Sequence, residues 1–216
     1  MSFIVAVDGS AGSGKGTLAT AIAKKFNLMY LDTGATYRCI TLEMLNRKIG
    51  VDDTEEIKKM LKEVEIDFKG DDTFLNGKNV SKEIRESAVN DFVSPVSKIP
   101  EVRKSLTDLQ RKIAAGKDVI LDGRDIGTVV FPNADVKIYL DASEEIRAKR
   151  RYEENIQNRM NTTYEEILEN VRMRDYNDMH KEVGALKVAD DAIVVDSSNL
   201  TIDEVVEKIK EIINRD

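Results

Sequence analysis

Phe3-Ile4-Val5-Ala6-Val7-Asp8-Gly9-Ser10-Ala11-Gly12-Ser13-Gly14-Lys15-Gly16-Thr17 packs an apolar run, a glycine-rich turn and the start of a helix into one short stretch. A near-continuous apolar run reads as a strand buried on both faces of a parallel sheet. From Lys15 to about Phe26, Leu18, Ile22 and Phe26 recur every four residues, a stripe that faces such a sheet. Four more runs have the character of the first: Leu28–Asp32, Val119–Asp122, Val136–Asp141 and Ala192–Asp196. With helical stretches between them, the five predict an α/β fold built on a parallel sheet. Each run ends in Asp. Open α/β sheets carry their chemistry at the carboxyl ends of the strands, but Asp also ends strands by ordinary turn chemistry, which is expected to account for two or three of the five.

Between Asp32 and Val119 lie 86 residues, far more than the roughly 12 to 30 that a crossover with its helix needs. Within them, Val64–Phe68 and Thr73–Leu75 flank a turn at 69–72, and Asn76-Gly77 leads to Lys78–Val80. These signals predict a hairpin with a third short strand, hence a small mixed subdomain over about 35–105 inserted between the second and third strands. Helices are expected from Pro100, where Val102, Leu106, Leu109 and Ile113 recur before Gly116, and after Thr163 and Thr201, each with Glu three residues on as in a capping box. The last of these would bury Val205, Ile209 and Ile212.

Composition narrows the function classes. The 216 residues are 41% hydrophobic and 34% charged, with 12 Gly, 3 Pro and one Cys, which excludes collagenous, disulfide-stapled and largely disordered chains. The net charge of −7 argues against a broad field for a nucleic-acid polymer while leaving room for one small anion held by local arginines. No apolar run approaches a membrane span, Met1-Ser2-Phe3 leads directly into the first strand, and the lone Cys39 fits a reducing compartment as a buried helix residue, so a cytoplasmic protein without a membrane partner is expected.

Gly9–Thr17 lies between a strand and a helix, the context that gives a Walker A match its weight. Backbone N–H groups of such a turn point at phosphate oxygens, the helix N-terminus adds its positive end, and Lys15 would reach the β- and γ-phosphates. The pattern has Ser or Thr directly after the lysine; here Gly16 stands there and Thr17 follows, which leaves open which hydroxyl serves Mg2+. A dinucleotide fingerprint does not fit, because Gly12-x-Gly14-x-Gly16 has the wrong spacing. No Asn-Lys-x-Asp segment supports a guanine-specific switch. A slow nucleotide-hydrolysing binding protein would start the same way and stays open on the loop alone.

Other segments suggest an anionic acceptor. Asp32-Thr33-Gly34-Ala35-Thr36-Tyr37-Arg38 ends the second strand, with Thr33 as a helix cap and Arg38 offering a fork for a terminal phosphate. Asp122-Gly123-Arg124-Asp125 ends the third. If the first and third strands are neighbours, Asp122 would bind metal-held water, Arg124 an acceptor phosphate, and Asp125 a base amino group. Arg147, Arg150 and Arg151 repeat like charge close to one helical face, and Arg159 follows beyond them, as in a lid closing on phosphates; a solvated helix offset by glutamates is the bland alternative. Arg174, Asp178 and Lys181 form a last stripe, equally compatible with surface decoration, and His180 beside it is incidental.

The chain resembles the bacterial-type cytidylate kinases of the nucleoside monophosphate kinase family. The resemblance rests on Asp8–Thr17, Leu31–Arg38, the highly specific Gly123-Arg124-Asp125-Ile126-Gly127-Thr128-Val129-Val130-Phe131-Pro132, Arg174-Asp175-x-x-Asp178 and Ala189–Asp196. It implies a P-loop kinase with a five-stranded parallel sheet: a core over 1–34 and 106–216, a helical lid at about 148–162, and a CMP-binding subdomain with a small antiparallel sheet over 35–105. It implies transfer of the γ-phosphoryl group of ATP, with Mg2+, to CMP or dCMP, with UMP poorer, by a monomer. The nucleotide would lie on Gly9, Ser10, Ala11, Gly12, Ser13, Gly14, Lys15, Gly16 and Thr17. Lys15, Arg124, Arg147 and Arg151 would be catalytic, and no side chain is assigned as a direct metal ligand. Thr33, Arg38, Ser94, Arg103, Arg124, Asp125, Arg174, Asp178 and Lys181 would bind the acceptor, with Ser94, Arg103 and Asp125 reading cytosine. Lys181 stands where the family has Arg, and Ala185 where it has Pro.

Overall fold

The computed structural model of the chain describes residues 2–70, 72–157 and 160–213. These form two compact units, Met1–Leu31 with Ala114–Asp216, and Asp32–Ile113.

The first unit holds β1 (Ile4–Asp8), α1 (Lys15–Phe26) and β2 (Met29–Asp32, whose last residue opens the second unit). After the second unit come β6 (Val119–Gly123), β7 (Val136–Asp141), α6 (Glu144–Gln157), α7 (Tyr164–Met179), β8 (Ile193–Asp196) and α8 (Ile202–Ile213). All five apolar runs are strands of one sheet, in the order β2-β6-β1-β7-β8. β1 pairs in parallel with β6 and with β7, and β7 with β8. The first and third strands of the chain's main sheet are thus neighbours, with Val7 opposite Asp122 and Asp8 opposite Gly123.

Strand alternation assigns the faces. Val5, Val7, Ile120, Val136, Ile138 and Leu140 pack with Leu18, Ala19 and Ile22 of α1 and with Val205, Val206 and Ile209 of α8. Ala6, Leu121 and Tyr139 are buried on the opposite face. Each fully buried Leu or Ile there is worth ~1.5–3 kcal/mol over its exposed state, so the apolar runs fix the sheet. The expectation of burial on both faces fails for β8, where Ile193 and Val194 are exposed and Val195 is buried. β8 is an edge strand, and Val195 is its one buried residue. Both expected capping boxes are present: Thr163 and Glu166 bond reciprocally, as do Thr201 and Glu204.

The second unit holds α2 (Thr33–Arg47), α3 (Thr54–Glu63), β3 (Ile66–Lys69), β4 (Asp72–Leu75), β5 (Lys78–Asn79), α4 (Ser87–Val96) and α5 (Pro100–Ala114, up to Ile113). It is wider at both ends than 35–105. β3, β4 and β5 form an antiparallel sheet, with Ile66 opposite Leu75 and Phe74 opposite Asn79. Ile40, Met44, Ile57, Met60, Val96, Val102 and Leu106 make its helical core. Cys39 is fully buried in a second cluster, and burial, with Asp32 adding to it, pushes its thiol up to about 12, so it is an inert core residue.

Candidate functional site

The turn between β1 and α1 has one entry that only glycine tolerates. Gly9 has φ 151°, and a Cβ there would lie 2.1 Å from the Leu140 carbonyl oxygen. The loop therefore leaves β1 pressed against the backbone of β7, and it enters α1 through Gly14 in the left-handed region. Lys15 folds back over the loop, its Nζ donating to the Ser10 carbonyl at 2.7 Å and to Ser13 Oγ at 3.4 Å. The ammonium is buried. Burial and the nearby Arg124 cation push its pKa down to about 7, against the opposing pull of Asp122 and Asp8. A cation held at this cost is arranged for an anion.

Three of the five strand-terminal aspartates act as turn or cap residues, and of these Asp32 also pairs at long range with Arg85 at 3.0 Å; the other two act at long range. Asp32 accepts from Ala35 N at 2.9 Å, Asp141 from Ala142 N and Asp196 from Ser198 N. The expected cap at Thr33 is corrected by this: Asp32 caps α2, and Thr33 is a buried residue of the first turn whose carbonyl accepts from Thr36 Oγ1. Asp8 instead accepts from Ile126 N at 2.8 Å and Gly127 N at 2.7 Å, tying the end of β1 to the π-helical turn Ile126–Val130 that follows β6. Burial raises its carboxyl to about 6, with the two N–H groups pulling the other way. Asp122 Oδ1 accepts from the Tyr30 hydroxyl at 2.8 Å.

Arg124 Nε donates to Asp178 Oδ2 at 2.8 Å, and Lys181 Nζ lies 2.8 Å from Asp178 Oδ1. Burial alone would raise the Asp178 carboxyl, but Arg124 and Lys181 outweigh it and hold it at about 2. Its contribution to stability is therefore present above about pH 4 and lost as pH falls toward 2. α7 ends at Met179, so Lys181 is not on the helical stripe expected of it, yet it meets Asp178 from beyond the helix end. Arg174, half-buried, acts electrostatically on Lys15.

The arginines of α6 differ from one another more than their spacing suggests. Arg147 is 3% exposed, forks onto Asp175 at 3.0 and 2.5 Å, and donates to the carbonyls of Ala142 and Ala11. Arg150 donates to the Ser197 carbonyl at 2.7 Å and reaches Ser13 O at 3.5 Å. In this conformation both serve as struts under the glycine-rich loop and not as an open charged face, because their donors are taken by fixed carbonyls and one buried carboxylate. Arg151 is exposed. Arg159 and part of the stretch 148–162 lie outside the described residues.

In the second unit, Arg38 Nη1 donates to Asn90 Oδ1 at 2.5 Å and to Ile84 O at 3.2 Å. Arg103 is buried, donates to the Ser97 carbonyl at 3.1 Å and stands 5.7 Å over the Tyr37 ring. Ser94 is half-buried in α4, its carbonyl accepting from Ser97 Oγ. Two residues of the site, Tyr30 and Ser197, escape sequence reasoning, and for a third, Asp175, the sequence shows the residue but not its partner. Tyr30 sits inside an apolar run and Ser197 in a plain turn, so neither carries a local signal. Asp175 had one, since it is the partner in Arg174-Asp175-x-x-Asp178, but its role appears only when α6 and α7 pack.

Residues 5–215 match the protein family described as Cytidylate kinase. The chain is similar to the cytidylate kinase of Fusobacterium nucleatum, 52% identical over 214 residues that cover 99% of this chain and 98% of that one. It is likewise similar to the cytidylate kinase of Fervidobacterium nodosum, 48% identical over 97% of this chain and 95% of that one. In architecture alone it is similar to the crystal structure of shikimate kinase from Bacteroides thetaiotaomicron, with TM-score 0.52, 11% identity and 98% of both chains covered. A glycine-rich loop under a buried lysine, beside a strand end carrying Asp122 and Arg124, accords with these matches over nearly the full length: the chain belongs to the cytidylate kinase family.

Proposed function

We infer that this protein transfers the γ-phosphoryl group of ATP to CMP or dCMP, giving ADP and CDP or dCDP, reversibly, because one phosphoanhydride replaces another. The observation that carries the reading is the convergence of Lys15, Arg124 and Asp122 on the C-terminal edge of β1 and β6. Gly9–Thr17 acts as a P-loop for the ATP phosphates, with Lys15 on the β- and γ-phosphates. Arg124, fixed by Asp178, holds the acceptor phosphate, and Lys181 backs the same carboxylate. Arg147 keeps the loop in shape while Arg151, at the exposed side of α6, supplies charge to the transferring group as part of a lid. Within the second unit, a CMP-binding subdomain on this reading, Arg38 binds phosphate and Ser94 and Arg103 bind the base; Thr33 and Arg174 bind substrate. The protein acts as a monomer on small molecules.

Mg2+ fits the residues present. It keeps several waters and takes few protein groups beside the phosphates, and Asp122 offers a hard carboxylate oxygen, with the hydroxyls of Thr17 and Tyr30 near the same loop. When bound it neutralises charge on the β- and γ-oxygens. Among the described residues no helix is long and apolar enough to cross a membrane. A coupled ADP assay with CMP, dCMP, UMP, AMP and GMP at equal concentration tests the function: CMP and dCMP should dominate, and ATP loss without an acceptor would count against it.

Asp125 is assigned to the cytosine amino group, which uracil replaces with a carbonyl that a carboxylate repels. Asp125→Asn should lower the ratio of kcat/KM for CMP over UMP by roughly 10- to 100-fold. An unchanged ratio removes Asp125 from base reading.

Lys15 gives a second expectation. With its pKa near 7 in the ligand-free protein, it is largely neutral at about pH 8, and phosphates restore the cation. ATP binding there should take up protons at that pH, measurable by calorimetry in buffers of different ionisation enthalpy. The uptake should vanish in Lys15→Met.

A further inference from the structure

The residue after the P-loop lysine ordinarily brings the hydroxyl that meets Mg2+, and this chain has Gly16 there. The space that a side chain at position 16 would enter is not empty. A Cβ built on Gly16 would stand 3.3 Å from the Tyr30 hydroxyl. That hydroxyl arrives from β2, on the α1 face of the sheet, and donates to Asp122 Oδ1 at 2.8 Å. Asp122 in turn acts electrostatically on the Lys15 ammonium, so carboxylate, hydroxyl and lysine belong to one neighbourhood. A phenol that gives its proton to a carboxylate keeps its oxygen lone pairs for a second partner, such as metal-held water.

We propose that Tyr30, oriented by Asp122, supplies to the magnesium–nucleotide complex the hydroxyl that position 16 lacks. The proposal rests on the magnesium reading above. It bears on the glycine as well: a side chain at position 16 would crowd the tyrosine oxygen, which would have to give by a few tenths of an ångström. Tyr30 is a positioning residue that holds the metal's water shell and the Asp122 carboxylate; it makes and breaks no bond. Thr17, exposed on the first turn of α1, is the competing source.

The test compares the full-length protein with Tyr30→Phe, Gly16→Ser, the double variant and Thr17→Val. ATP affinity is measured by calorimetry with Mg2+ and with EDTA, and Mn2+ affinity of the ATP complex by the electron paramagnetic resonance of free Mn2+. Tyr30→Phe should leave ATP affinity in EDTA unchanged and lower metal affinity roughly tenfold, the scale of losing a group that orients a metal shell. The double variant should recover most of that loss, since removing the phenol oxygen opens the space into which the introduced serine brings its own hydroxyl. Thr17→Val, which alters the nucleotide loop itself, should change ATP affinity alike in Mg2+ and in EDTA and so leave the metal dependence in place. Wild-type metal affinity in Tyr30→Phe, an equal loss of ATP affinity in EDTA, or a double variant no better than the single one overturns the proposal. Identical ATP affinity of the wild type in Mg2+ and EDTA would instead strike the magnesium reading itself, and the proposal with it.

Discussion

Lys15→Met is expected to lower kcat/KM for ATP by ~10³-fold or more while raising the thermal midpoint of the ligand-free protein. The loss follows from phosphoryl transfer being mostly positioning and charge compensation, where one preorganised cation is worth several orders of magnitude. The gain follows from the burial of the same cation. Lys15 is 5% exposed, and burial together with Arg124 holds its pKa well below that of a free lysine. A group whose folded pKa is lowered from 10.5 to about 7 costs stability in full below pH 7, and the cost fades as pH rises toward 10.5, where the unfolded chain also loses the proton. The variant's advantage should therefore shrink with rising pH. Initial rates and unfolding scans across that range check both halves. Activity within tenfold of wild type would remove Lys15 from the reaction, and a lowered midpoint would show that its bonds to Ser10 and Ser13 outweigh its burial.

The second large effect is structural. Asp175→Ala should cost ~3–5 kcal/mol in urea unfolding, because it leaves the Arg147 guanidinium buried without its carboxylate. At this chain length, ~2–4 °C per kcal/mol makes that a loss of several degrees or more in Tm. The loop should suffer too, since the Arg147 Nη1 that bonds Asp175 Oδ1 also bonds the Ala11 carbonyl. The double variant Arg147→Met with Asp175→Leu separates the effects. With neither charge buried, much of the stability should return, but KM for ATP should stay raised because the Arg147 bond to the Ala11 carbonyl is gone. A cost below ~1 kcal/mol for Asp175→Ala would place the pair among weak surface bridges.

These two residues mark where local pattern stops being informative. Lys15 was readable because every part of its setting is local: five apolar residues, a run of glycines and a helical stripe stand in chain order within one βα step. Arg147 was found as a charge but assigned to an open face, since spacing along a helix says which residues share a side and not what packs on that side. Its carboxylate comes 28 residues later from α7, and its other partners from residues 11 and 142. Asp32 and Thr33 show the same limit at short range: both are good caps, and only the backbone path decides which one takes the Ala35 N–H.

Sequence alone determined the five strands, their helices, the inserted three-stranded piece and the two glycine-containing motifs that identify the family, because periodicity, turn chemistry and capping act over a few residues. Tertiary structure decided the strand order that sets Asp8 and Asp122 beside their cross-strand partners, the exposure of β8, and the pairings Arg147–Asp175, Arg124–Asp178 and Tyr30–Asp122. Those pairs join residues 28 to 92 positions apart, and no local rule selects one distant carboxylate over another; only the packing of α6, α7 and the strand ends brings each to its partner.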